Sequence, residues 1–196
     1  MVVVDIPRQL KNQVSLLGVT QQIHPNRGQS PILAMADSYW GTTDPVASKT
    51  ISERGAKDLV GEALHHPAMD EIPGIEHIRA TFDPEKQVSL VDWLPKDQLG
   101  HLESGVSGRQ LMRLGQTSDL PLKTHAVTHE TAHLLTHPLL SPFQWANIDR
   151  SGSIGHSWAM ARTHIHTVRS VLGDEAADNL RRIYQAHGVS FGRKNI

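Results

Sequence analysis

No cysteine occurs in the chain of 196 residues, which excludes disulfides and any thiolate zinc ribbon. That absence agrees with a reducing compartment, and a cytoplasmic protein is the expectation. Long apolar runs are missing too. Nothing approaches the ~18 residues of a membrane span. The start, Met1-Val2-Val3-Val4-Asp5, has too short an apolar run and no basic leader for a signal peptide. Nor is there an excess of one charge. A net charge of −1 gives no general argument for nucleic acid, because whole-domain binders are usually basic. Gly100 to Gly108 is rich in glycine but lacks the spacing and the Lys-Ser/Thr ending of a phosphate loop. Internal repeats and low-complexity tracts are absent.

With 38% hydrophobic and 20% charged residues, the chain can bury a sizeable core. Its length suggests one domain over residues 49–196, preceded by a poorly defined N-terminal extension over 1–48. In that extension Val2 to Val4 and Ile32 to Ala36 read as short apolar pieces. Pro7, Pro25, Gly28, Pro31, Gly41 and Pro45 argue against a long element, and no chemistry is apparent.

Residues 52 to 65 predict a helix capped by Ser52, with a stripe of Ala56, Leu59, Val60, Ala63 and Leu64, ended by Pro67. From about 75 to 115 the period shifts toward two. Ile78, Ala80 and Phe82 alternate, then Val88, Leu90 and Asp92, then Met112 and Leu114, which predicts a small sheet of three or more strands. Two helices are expected after it. One starts near His156 and carries Trp158, Ala161, Ile165, Val168 and Leu172. The other is capped by Asp174 and carries Ala176, Ala177, Leu180, Ile183, Tyr184 and His187.

Chemistry concentrates between His125 and His137. His129-Glu130-Thr131-Ala132-His133 is an H-E-x-x-H pattern, and 13 histidines with 8 glutamates would produce about 0.03 such matches by chance. On a helix, residues i and i+4 share a face, so two imidazoles can grip one metal ion. Glu130 lies roughly 100° around the helix, beside the metal, where a carboxylate can deprotonate a bound water. Val127, Thr131, Leu134 and Leu135 form the buried stripe. Thr117, Ser118 and Asp119 are candidate caps, Pro121 fits a first turn, and Pro138 stops the helix.

A catalytic zinc site needs a third protein ligand and an open position. Thr136 and Leu139 stand where the metzincin pattern has Gly and His. No Glu occurs between His133 and Glu175, and Asp149 falls in a loop. His137 is two helical turns, about 12 Å, from His129 and too far to share the ion. His156, at the start of the following helix, is the expected third ligand. The metal set is therefore His129, His133 and His156, with Glu130 as the catalytic base. His164, His166 and Tyr184 are unranked candidates for stabilising the oxyanion.

His129-Glu130-x-x-His133, then His156-Ser157-Trp158, then Val171 to Val189 (VLGDEAADNLRRIYQAHGV) resemble the zinc metallohydrolases of actinobacteria and their phages. Those proteins are similar in plan to SprT-like zincins. The resemblance spans about 120 to 190, with Ser157 where the family usually has Gly. It implies an α+β, zincin-like fold: a small β-sheet, a packed metal-binding helix and a C-terminal helical pair. The implied activity is zinc-dependent hydrolysis, with a peptide or protein as substrate. A zinc-binding interaction module without turnover, of phage or host origin, is the alternative from another class. A DNA-associated protease is the third reading. It rests on Arg162, Arg169, Arg181, Arg182, Arg193 and Lys194, and a solvated helix face explains these as well.

Overall fold

The computed structural model describes residues 30–92, 100–104, 110–116, 121–136, 158–189 and 191. Among these the order is α1 (Ser30–Thr43), α2 (Glu53–His65), a 3-10 helix (Pro67–Glu71), α3 (Ile75–Thr81) and α4 (Pro84–Gln87). Then come β1 (Val88–Val91), β2 (Gly100–Ser104), β3 (Gln110–Gly115), α5 (Thr124–Thr136), α6 (Trp158–Leu172) and α7 (Asp174–Ala186). The class is α+β. No helix among the described residues is long and apolar enough to cross a membrane.

The three strands form one mixed sheet in the order β1-β3-β2. β1 runs parallel to β3 with Val88 opposite Met112, and β2 runs antiparallel to it with Leu102 opposite Met112. Two of the expected strands are therefore in place. The alternation at Ile78, Ala80 and Phe82 is instead helical: Ile75, Ile78 and Phe82 are buried at a spacing of three and four, which fits α3 better than a period of two. The strand not expected is β2, which opens on Gly100.

Among the described residues, two apolar clusters make the core. In the first, α2, the 3-10 helix, α3 and the sheet meet one side of α5 through Leu59, Val60, Leu64, Met112, Leu114, Val127, Leu134 and Leu135. The second gathers Leu33, Ala36 and Trp40 of α1, Ala132 of α5, Met160, Ile165 and Val168 of α6, and Leu180 and Tyr184 of α7. α5 is thus packed on both sides, and eleven of its thirteen residues are buried. Only His129 and His133 along it are partly exposed.

Local chemistry explains the helix ends. Ser52 Oγ accepts from Gly55 N at 3.1 Å, as its sequence predicts. α5 starts later than its candidate caps suggest, and Pro121 precedes it in irregular chain. Its first amides are satisfied from another segment: Thr124 N donates to Lys49 O at 2.9 Å and His125 N to Ala47 O at 3.0 Å. Thr117 to Asp119 and Pro138 lie outside the described residues. Between α6 and α7, Gly173 is the residue that caps α7, with a φ of 90° suited to glycine. Asp174 follows it in the first turn and pairs with Arg169 Nε at 2.8 Å.

The segment expected to be a loose extension contributes α1. Leu33, Ala36, Asp37 and Trp40 repeat at three and four, and all four are buried. The breakers sit where a helix tolerates them. Pro31 is in the first turn, whose amides have no intrahelical partner, and Gly41 is in the last.

Candidate metal centre

α1 and α5 meet through two interlocked i, i+4 pairs. Asp37 faces His129, and Gly41 faces His125. Rising numbers on α1 meet falling numbers on α5, so the helices run antiparallel. A Cβ on Gly41 would lie 2.5 Å from His125 Cγ, which shows how closely the backbone approaches that buried ring. Glycine lets α1 come near enough for the carboxylate one turn earlier to reach α5.

On the outer side of α5, His129 Nε2 and His133 Nε2 are 3.0 Å apart, with ring centroids at 4.7 Å. Glu130 offers a carboxylate oxygen in the same group, within 4.8 Å of both ligand nitrogens. Its side chain is buried under the start of β2. A Cβ on Gly100 would overlap it from Cγ to Oε1, so the strand backbone lies directly on the carboxylate. Burial, followed by the nearby Asp37 charge, pushes the Glu130 carboxyl up to about 7, against the opposing pull of His129. A carboxyl with that value exchanges protons near neutral pH.

On the inner side, His129 Nδ1 is 2.8 Å from Asp37 Oδ2. Asp37 Oδ1 is 3.2 Å from His164 Nδ1 and accepts from the Tyr184 hydroxyl at 3.3 Å. Tyr184 Oη and His164 Nδ1 are themselves 2.7 Å apart, and Thr128 Oγ1 lies 3.1 Å from His164 Nε2. Burial would raise the Asp37 carboxyl, but the charges of His129 and His164, with their hydrogen bonds, hold it well below the usual carboxylate range. The imidazoles divide. Burial lowers His164 despite Asp37, whereas in His129 the charge and hydrogen bond of Asp37 overcome burial and raise it.

Among the described residues, two three-residue groups could accept a metal ion, Asp37-His129-His164 and His129-Glu130-His133. They share His129 through its two different nitrogens. The inner group is closed: the Asp37 side chain is 6% exposed and that of His164 0%, while the His129 side chain reaches 14% on the outer side. A catalytic ion needs an open position, and only the outer group offers one. The donor chemistry fits. With Nδ1 beside the Asp37 carboxylate, His129 turns Nε2 to the outer side, where His133 Nε2 also converges.

The chain matches no family model, no curated protein and no solved structure. The reading of the site therefore rests on the residues themselves. His129, Glu130 and His133 come together as the sequence predicts. The expected third ligand, His156, lies outside the described residues, as does His137. Of the oxyanion candidates, His164 and Tyr184 are buried on the Asp37 side of His129, away from the open face, and His166 is exposed on α6. Asp37 is the residue that the sequence reading missed. Its signal was an acid inside the buried 33-36-37-40 stripe, four residues before a glycine.

Proposed function

We propose that this chain is a zinc-dependent hydrolase of zincin-like plan, acting on peptide bonds. The observation that carries the reading is the 3.0 Å approach of two imidazole nitrogens beside a buried carboxyl pushed up to about 7. His129 and His133 would hold the ion, with His156 as the third ligand. Zinc held there would supply a Lewis acid that makes a water easier to deprotonate near neutral pH. Glu130 takes the proton of the attacking water and delivers it to the leaving amine. Its burial beneath Gly100 confines the carboxylate to one position, so the base is oriented before substrate arrives.

The test measures zinc content and peptide hydrolysis on the same preparation. Wild type is expected to carry close to one zinc per chain, and Glu130→Gln to keep that zinc while losing about 10² to 10⁴ in rate. His156→Ala should weaken zinc strongly and His137→Ala should leave it nearly intact. A Glu130→Gln protein with wild-type turnover would remove Glu130 from the base role. A zinc-loaded wild type inert toward peptides and proteins would instead favour the interaction module.

A further inference from the structure

The carboxylate of Asp37 comes from a helix 92 positions before His129, outside any motif, yet it approaches the nitrogen that the metal reading leaves free. We infer that Asp37 is a positioning residue for the metal centre: it holds His129 in the tautomer and orientation that present Nε2 to the ion, and Tyr184 and His164 hold Asp37. This rests on the reading of His129 as a ligand.

An ionised carboxylate has no proton to donate, so every hydrogen bond to Asp37 runs inward. Tyr184 O–H donates to Oδ1, and His164 Nδ1 lies 2.7 Å from the tyrosine oxygen and 3.2 Å from Oδ1. Oδ2 is left for His129, whose Nδ1 lies 2.8 Å away as an ion-pair contact. With the proton fixed on Nδ1, Nε2 carries the lone pair, and rotation of the ring would break a buried charge-assisted contact. The anchoring is rigid at each point. Tyr184 and His164 are fully buried, and they come from α7 and α6, the two helices that share the second apolar cluster with α1. A carboxylate behind a metal-bound histidine also raises the basicity of the ligating nitrogen.

Four full-length proteins separate this role from simple packing: wild type, Asp37→Asn, Asp37→Leu and Tyr184→Phe. Each is titrated with zinc against a competing chelator, after circular dichroism and the melting temperature of the metal-free form have confirmed folding. Asn and Leu fill similar volumes, but only Asn retains an oxygen that accepts from Nδ1–H. Asp37→Leu should weaken zinc about 10- to 100-fold, Asp37→Asn less than Leu, and Tyr184→Phe least. Equal zinc affinity in wild type and Asp37→Leu would overturn the inference while leaving the metal centre standing. Equal weakening by Asn and Leu would also overturn it, because packing or charge alone would then explain the effect. Wild type that binds no zinc would remove the metal reading, and this inference with it.

Discussion

Glu130 shows what burial does to one side chain. Its carboxyl is raised from an ordinary 4.5 to about 7, chiefly because the charged form is desolvated. Below pH 4.5 both folded and unfolded chains hold the proton, so Glu130 costs nothing. Between 4.5 and 7 the unfolded chain ionises first, binds fewer protons, and is favoured as pH rises. Above 7 the full cost is present, on the order of 3 kcal/mol at 1.36 kcal/mol per pH unit. In metal-free protein, Glu130→Gln should therefore be more stable than wild type at pH 8, with the gap closing toward pH 4.5. Urea titrations at several pH values read this difference. A gap independent of pH would show that the carboxyl is not raised. The same burial that costs stability sets a proton-transfer group near neutrality, a trade expected of a functional residue.

The scale of elements turns on how α1 reaches α5. Gly41 allows the contact, and its replacement tests it. Gly41→Ala places a methyl against the His125 ring and should cost about 1–3 kcal/mol, with weaker zinc binding because Asp37 shifts with the helix. Gly61, inside α2, is the control. A Cβ there meets nothing nearer than Pro84 Cγ at 4.0 Å, so Gly61→Ala should stabilise by up to about 1 kcal/mol. Chemical denaturation of both variants gives the comparison, and equal effects of the two would mean that the helices do not touch as described.

The same elements show what was legible. α2, α6 and α7 announced themselves through period and punctuation, because each buries one face against the rest. β1 and β3 did so through alternation. α1 was hidden by local breakers that fall at its ends, where the rules for helix interiors do not apply. β2 was hidden by glycine, kept at Gly100 by the space Glu130 needs. α3 was misread because a short run with apolar residues at 78, 80 and 82 satisfies both periods. In the site, the i, i+4 histidines are a local pattern, whereas Asp37 reaches them only through tertiary packing.

In the whole molecule, α5 is the shared wall of two apolar clusters, and a bound ion would brace its open face. Zinc at a hundred times its Kd adds about 2.7 kcal/mol to the folded state. For a chain of this size that corresponds to roughly 5–10 °C in melting temperature. Chelation should lower the melting temperature by that amount, and restored zinc should recover it. The same melting temperature with and without chelator would leave the site without an ion. The sheet lies on one side of this wall and the α1-α6-α7 group on the other.

The ribosome delivers these parts in a telling order. α1 is the first described helix and α7 the last; Tyr184 on Asp37 fastens them to each other, and Asn179 Nδ2 donates at 2.6 Å to Oδ2 of Asp44, the residue after α1. A nascent chain that has exposed His129, Glu130 and His133 still lacks the tyrosine that secures the carboxylate behind them. The H-E-x-x-H segment therefore emerges before its support is complete, and the candidate metal centre gains its final geometry only once translation has passed residue 184. If the proposed peptide hydrolysis holds, such a delay would keep the centre idle while neighbouring unfinished chains are most vulnerable to cleavage.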